Sequence, residues 1–145
     1  MDDEPDLLDG LARYLAERGL VTYTPGGDLT DDCFLEHMPP EPDEAVVLTV
    51  YDDRSEPDSL LPYDEPRVQV RVRGTADPRV SRRRCRAIRS ALHGLGPVVL
   101  PGGTELILSV CIQGDAASMG VDETQRHEHV ANFRMEVVSP TAHRS

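Results

Sequence analysis

The sequence predicts an α+β fold in which two helices pack on one face of a mostly antiparallel or mixed sheet. Apolar residues recur at helical spacing over residues 6–18 and 78–93. Residues 45–51 and 67–73 are rich in valine, with the continuous or alternating apolar pattern of strands. Strands and helices do not alternate along the chain, so a doubly wound parallel sheet is not expected.

The length of 145 residues favours one domain, predicted over residues 1–138, followed by a flexible tail over residues 139–145. The acidic N-terminus lacks the basic and apolar regions of a secretory signal, and no segment suggests a membrane span. Three cysteines without a CxxC pair indicate reduced, packed thiols rather than a disulfide framework.

Both predicted helices carry stop signals, and the second also carries start signals. The second has Asp77 as an N-cap and Pro78 in its first turn, and a glycine follows each helix as a stop. Seven segments are predicted to be extended: 21–24, 33–38, 45–51, 67–73, 98–100, 105–113 and 129–138.

Two of these strands have a pattern that assigns their faces. Residues 67–73 alternate, so that three valines face one side and a basic outer face is formed by Arg67, Gln69, Arg71 and Arg73. Residues 105–113 are expected to place on one face Leu106, Leu108, Val110 and Ile112. Residues 52–66 and 114–128 are predicted as long polar loops that can reach partners and become ordered on assembly.

The net charge of −11 is unevenly distributed. Residues 1–66 carry −16, residues 67–89 carry +8, and the remainder carries −3. The overall acidity argues against a protein that mainly grips a nucleic-acid backbone or an anionic membrane. Such asymmetry is more often self-complementary, within the fold or between subunits.

At 100° per residue, the helix 78–93 places five arginines opposite its apolar face: Arg79, Arg82, Arg83, Arg86 and Arg89. This stripe can bind phosphates or an acidic partner surface, or it can be a solvated helix exterior that needs no partner. Arg84 projects toward the apolar side, where it can snorkel past the core edge or pair with an acid across an interface. We favour snorkelling.

The basic strand face and the helix stripe are neighbours in sequence. If they merge in space, residues 1–66 of another copy of the chain offer the natural acidic complement. The charge pattern therefore predicts self-association through opposite polarities on one protomer.

The sequence offers no recognisable active site, and neither enzymatic activity nor a cofactor is predicted. It contains no GxSxG motif, no Walker A loop and no GxGxxG motif after a strand. His127 and His129 share one strand face, but a metal site would need a further ligand. Surface histidines are the favoured interpretation.

The order of the motifs resembles the bacteriophage minor capsid or tail terminator family of long-tailed phages. The resemblance rests on RVQVRVRG, a helix opened by Asp-Pro, a Pro-Gly-Gly hairpin, and GVDETQRHEHVANFRMEV. It extends from the first helix to Val138. The matching residues are interpreted as fold or interface positions: Arg71, Arg73, Gly74, Asp122, Arg126, Asn132 and Phe133. Asp122 and Arg126 could brace a loop or form a contact between subunits.

The resemblance implies a virion structural protein of the head–tail junction, made in the host cytoplasm. Such proteins cap the tail tube as a ring, commonly a hexamer, and present a surface to the head connector or stopper protein. DNA passes through the lumen without specific binding. The expected partners are thus the chain itself, the tail tube protein and the connector, with no membrane.

Two alternatives remain open at the level of sequence. One is a head-completion or connector-adaptor protein of the same junction. The other is a nucleic-acid-binding module that uses the arginine-rich helix 78–93, for which a strong salt dependence of DNA affinity would be the signature.

Overall fold

The structure is a computed structural model that describes residues 6–51 and 56–144. Its elements follow the order α1 (Leu7–Glu17), β1 (Cys33–Leu35), β2 (Ala45–Tyr51), β3 (Tyr63–Asp64), β4 (Arg67–Arg73), α2 (Pro78–Leu92), β5 (Val98–Val99), β6 (Glu105–Cys111), β7 (Ala117–Val121) and β8 (His127–Val138). In these two ranges, no helix is both long and apolar enough to cross a lipid bilayer.

The strands form one mixed sheet in the order β1–β2–β4–β8–β6–β5, and β3 and β7 also pair with β8. β1 runs parallel to β2, and the remaining pairs are antiparallel. The predicted α+β class, with two helices and a mixed sheet, is therefore confirmed.

The strand β8 organises the sheet. It has 12 residues, more than any other described strand. One of its edges pairs with β4 and then β3, and the other pairs with β7 and then β6. β7 therefore lies beside the N-terminal end of β8, and β3 lies beside its C-terminal end.

Both helices cover the same face of the sheet. Alternation and register bring one row of side chains to this face from β2, β4 and β8: Val46, Leu48, Val68, Val70, Val72, Ala131 and Phe133. They share one hydrophobic core with Leu11 and Leu15 of α1 and with Ile88 and Leu92 of α2. Burial of such aliphatic side chains contributes roughly 1.5–3 kcal/mol each, which is why the alternating pattern fixes the strand faces.

Each helix begins at a capping aspartate. Asp6 accepts a hydrogen bond from the backbone N–H of Asp9, and Asp77 accepts one from the N–H of Arg79, both at 3.0 Å. The caps satisfy N–H groups that have no partner inside the helix. Both helix starts therefore agree with the sequence prediction.

The two short strands predicted near the N-terminus are partly wrong. Residues 21–24 are not a strand, because the carboxylates of Asp31 and Asp32 accept the N–H groups of Thr24 and Thr22 in place of a neighbouring strand. The strand predicted over 33–38 ends at Leu35. Glu36 follows with a positive φ of 61°, which breaks the extended conformation.

The predicted common face of the strand 105–113 is also wrong. A β-bulge between Leu106 and Leu108 shifts the register against β8. Leu106 points into the core, but beyond the bulge the buried residues are Ser109 and Cys111, and Ile112 is exposed. A bulge of one residue moves each later side chain to the opposite face.

Each of the two predicted loops contains a strand. Within 52–66, residues Tyr63–Asp64 form β3; within 114–128, residues Ala117–Val121 form β7. The tail predicted to be flexible is bonded to the domain over its described part, since the Arg144 guanidinium reaches the backbone oxygens of Leu61 and Tyr63. Its flexibility stays a prediction.

Candidate assembly surface

Four of the residues that carried the family resemblance meet at one corner of the sheet. Arg71 and Arg73 lie at the end of β4, opposite the beginning of β8, and Asp122 and Arg126 lie in the turn between β7 and β8. We call this group the arginine corner: Arg71, Arg73, Asp122 and Arg126, with Asp43 and Glu128. Its first pair joins Arg71 Nε to the carboxylate of Glu128, whose side chain is 8% exposed.

Arg73 is buried, so its predicted place on a basic outer face is wrong. Only 3% of the residue is exposed. Its Nε and Nη2 atoms donate to the carbonyl oxygens of Asp43 at 2.9 Å and Pro42 at 2.6 Å. Burial, with Arg126 nearby, lowers the pKa of the Arg73 guanidinium. Arg73 therefore fastens the segment before β2 to the sheet and cannot face another subunit directly.

Asp122 and Arg126 brace the turn between β7 and β8. Asp122 accepts the backbone N–H of Arg126 at 2.9 Å and its Nε at 2.8 Å. The backbone bond from Arg126 is the largest cause that lowers the pKa of Asp122 to about 2. Arg126 Nη1 also donates to the carbonyl oxygen of Pro40 and to Asp43. Of the two predicted roles, this geometry is that of a loop brace.

Three arginines of the predicted helix stripe bond within their own molecule. Arg79 pairs with the N-cap Asp77. Arg86 makes a two-point pair with Asp115, with Nη2 to Oδ2 at 2.7 Å. Arg89 donates to the sulfur of Cys111 and to the carbonyl oxygen of Gln113. The exposed pairs contribute little stability, but they reduce the free positive charge of the helix.

Arg82 and Arg83 differ from these three arginines in their bonding. Within residues 6–51 and 56–144 neither guanidinium makes a hydrogen bond or an ion pair; Arg83 is exposed and Arg82 half-buried. They are the two members of the stripe that remain available to a partner. The positive surface that α2 can offer is therefore smaller than the sequence suggests.

Arg84 does not snorkel; it forms an ion pair inside the fold. Its Nη2 donates to Asp32 at 2.7 Å and to the carbonyl oxygen of Leu20 at 3.1 Å. Both charged side chains are about four-fifths covered, at 20% and 24% exposed. The pair joins α2 to the segment that leads into β1.

His129 is not a surface histidine. It is 4% exposed, and its Nδ1 lies 2.8 Å from the hydroxyl of Ser81 on α2. Burial, together with nearby Arg82, lowers its pKa from 6.5. Among the described residues, no group of three or more His, Cys, Asp and Glu side chains could hold a metal ion. His129 instead joins α2 to β8.

Sequence reasoning missed an exposed apolar strand. All five residues of β7 are exposed, and Met119 and Val121 are 55% and 46% accessible. A second exposed apolar pair, Leu60 and Leu61, precedes β3. The only local signal was the turn sequence Asp-Glu-Thr-Gln-Arg shortly before the predicted strand 129–138, because β7 has no alternation of buried and exposed residues.

The fold and this surface define a small α+β structural protein. Many of its charged side chains brace its own loops, and its exposed apolar residues include Met119 and Val121 on β7 and Leu60 and Leu61 before β3. The family model of the bacteriophage tail terminator protein matches residues 14–139. The chain belongs to this family. Comparison with curated proteins gives no match.

Membership confirms the resemblance seen in the motifs and gives the protein a structural role at the phage tail and head–tail junction. The family is structural rather than enzymatic, and its place is the virion tail. Its role also implies interaction with other tail or head proteins.

Proposed function

We propose that this protein forms a hexameric ring that caps the end of the tail tube. The opposite face of the ring binds the head connector or stopper protein. The observation that carries the proposal is the tail terminator match over residues 14–139, which includes every described strand and α2. Assembly takes place in the host cytoplasm before the tail joins the head.

The charge distribution supports a lumen through which DNA passes without being gripped. The net charge is −11, and most of the basic block is bonded to the protein's own acids and carbonyl oxygens. A surface of net negative charge repels the phosphate backbone. The same pairing disfavours the nucleic-acid-binding alternative, because within residues 6–51 and 56–144 it leaves only Arg82 and Arg83 of the stripe without a bonded partner.

Identical protomers in a closed ring are joined by head-to-tail contacts, so each protomer must present two different surfaces. Of the predicted interface residues, Arg82 and Arg83 are proposed as direct contacts. The others are proposed to shape the surface by bracing it: Arg71, Arg73, Arg79, Arg86, Arg89, Asp122 and Arg126.

Electron microscopy of the purified protein mixed with tail tubes tests the proposal. We expect a ring at one end of tubes that lack heads, with native mass spectrometry giving six copies. Binding to tail-less heads rather than to tubes would instead support the head-completion or connector-adaptor alternative. A protein that binds neither structure would contradict the proposed role at the junction.

A further inference from the structure

An apolar groove of about 590 Å³ lies beside the C-terminal end of β8. Its walls include Val50, Pro66 and Val137. Its described lining contains four acidic residues and no basic one. Asp64 is paired with Arg144, which leaves three acids without a salt bridge among the described residues: Glu56, Asp58 and Glu65. The groove is thus apolar inside and acidic around its edge.

Exposed apolar side chains extend this surface. The backbone N–H groups of Leu60 and Leu61 donate to the lining residue Asp58, and their side chains are 70% and 59% exposed; the lining residue Val50 is 40% exposed. Exposed apolar groups in contact with one another and rimmed by polar residues are typical of protein interaction sites.

The hairpin formed by β7 and the start of β8 has the opposite character. Met119 and Val121 expose apolar side chains there. Arg82 lies next to the hairpin, because the preceding residue, Ser81, bonds to His129, and His129 pairs with Ser118 of β7. Arg83 follows on the exposed side of α2. The hairpin thus exposes apolar side chains, with Glu123 in its turn, and Arg82, which has no bonded partner among the described residues, lies near it.

The groove and the hairpin lie at opposite ends of β8. The groove includes Val137, whereas β7 pairs with residues 127–130. At a rise of about 3.3 Å per residue, their positions on this strand are separated by roughly 25 Å. Two complementary surfaces at opposite ends of one protomer give a head-to-tail contact, the type that closes into a ring.

We propose that the β7 hairpin of one copy docks in the acidic-edged groove of the next copy, so that Met119 meets the apolar walls. Arg82 and Arg83 then face Glu56 and Glu65 across the contact. This inference rests on the proposed ring and specifies which surfaces close it. Charge complementarity directs the hairpin of one copy to the groove of the next, and the apolar contact supplies the affinity.

Sedimentation velocity of the full chain at low salt tests the contact with a charge exchange. The variant Arg82→Glu/Arg83→Glu and the variant Glu56→Arg/Glu65→Arg should each need about tenfold more protein or more to assemble, because like charges then meet. An equimolar mixture of the two variants should recover most of the assembly, since each hairpin again meets a groove of opposite charge. Arg18→Glu and Glu17→Arg, exposed at the end of α1, serve as controls and should assemble as the wild type does.

A second variant tests the apolar part. Met119→Asp should weaken assembly and leave the melting temperature unchanged, because the side chain is already more than half exposed. If either charge variant fails to fold, the assembly of Met119→Asp tests the proposed docking in its place.

Three results would overturn the docking. If the wild type forms rings and the folded charge variants and Met119→Asp assemble equally well, the ring stands and these surfaces do not close it. If the charge variants fail to assemble and their mixture does not recover, the two groups do not face each other. If Arg82→Glu/Arg83→Glu assembles normally but loses salt-dependent binding to a DNA duplex, the two arginines bind nucleic acid and not the next copy. A wild type that never assembles, alone or on tail tubes, would contradict the ring itself.

Discussion

The guanidinium of Arg84 and the carboxylate of Asp32 meet at 2.7 Å between α2 and the segment that leads into β1. Neither side chain is more than about a quarter exposed. Since the two residues are 52 positions apart in sequence, the pair fixes a long-range contact that the helix pattern alone does not specify.

Removal of this pair should destabilise the fold. Arg84→Met keeps an apolar stem of similar length but removes the Arg84 donor from Asp32 Oδ2 and from the Leu20 carbonyl oxygen, at a cost of about 1–3 kcal/mol. Urea unfolding measures the loss. Arg83→Met, one residue away and without a partner in the described chain, should stay within about 0.5 kcal/mol of the wild type. Equal stabilities of the two variants would contradict the importance of the pair.

Gly74→Ala should destabilise the contact between β4 and α2. A Cβ atom at position 74 would lie 2.9 Å from the backbone nitrogen of Ser81 and 3.0 Å from its Cβ, so the helix would have to shift. Such overpacking costs about 1–3 kcal/mol. Gly114→Ala is the matched control, because a Cβ there has no neighbour within 4 Å. Denaturant unfolding of both variants should separate them, and equal midpoints would speak against the close approach.

Stability should decrease as the pH falls from 7 towards 5. Burial, with Arg82 nearby, lowers the pKa of His129 from 6.5, so the folded state favours the neutral ring. Below pH 6.5 the unfolded chain therefore binds a proton more readily than the folded chain, and this group can remove at most about 1.4 kcal/mol per pH unit.

A pair of histidine variants isolates this effect. His129→Gln should lose much of the pH dependence in unfolding measurements between pH 7 and 5. His143→Gln, at an exposed position, should retain it. The same slope in the two variants would show that other groups cause the dependence.

Asp122→Ala should loosen the turn between β7 and β8. The carboxylate accepts the backbone N–H groups of Thr124 and Arg126, so both amides should exchange hydrogen faster. Because the pKa of Asp122 is lowered to about 2, the bracing is present above pH 3.8 and is lost as the pH falls through 2. Hydrogen exchange measures the first effect, and a carboxyl NMR titration measures the second.

The neighbouring variant Glu123→Ala provides the control for this turn. Glu123 is exposed, and its side chain makes no hydrogen bond within the described residues, so its removal should leave both amides protected. Slow exchange of Thr124 and Arg126 in Asp122→Ala would mean that the backbone alone holds the turn.

Features set by neighbouring residues could be predicted from the sequence. The second helix begins at its predicted N-cap Asp77, the first lies within its predicted range, and β4 places its valines in the core as the alternation indicates. The bulge in β6 could not be predicted in this way, because the pairing of Leu106 and Leu108 with β8 sets it. β7 was missed because it buries none of its residues.

The sequence predicted which residues lie together at the candidate site better than it predicted what each of them does there. Arg71, Arg73, Asp122 and Arg126 do come together, but the three arginines bond to carbonyl oxygens or carboxylates of distant segments, such as Pro42 for Arg73, Glu128 for Arg71 and Asp43 for Arg126. Ion pairs between positions far apart in sequence leave no periodic signal. A helical pattern therefore shows where arginines point and not what they meet.

The central position of β8 has a consequence for the timing of biosynthesis. β3, β4, β6 and β7 all pair with residues 127–138, so none of these four pairings can form until the ribosome has added β8. A nascent chain that stops before β8 can pair β1 with β2, β2 with β4, and β5 with β6, but it has no strand that joins these two groups into one sheet.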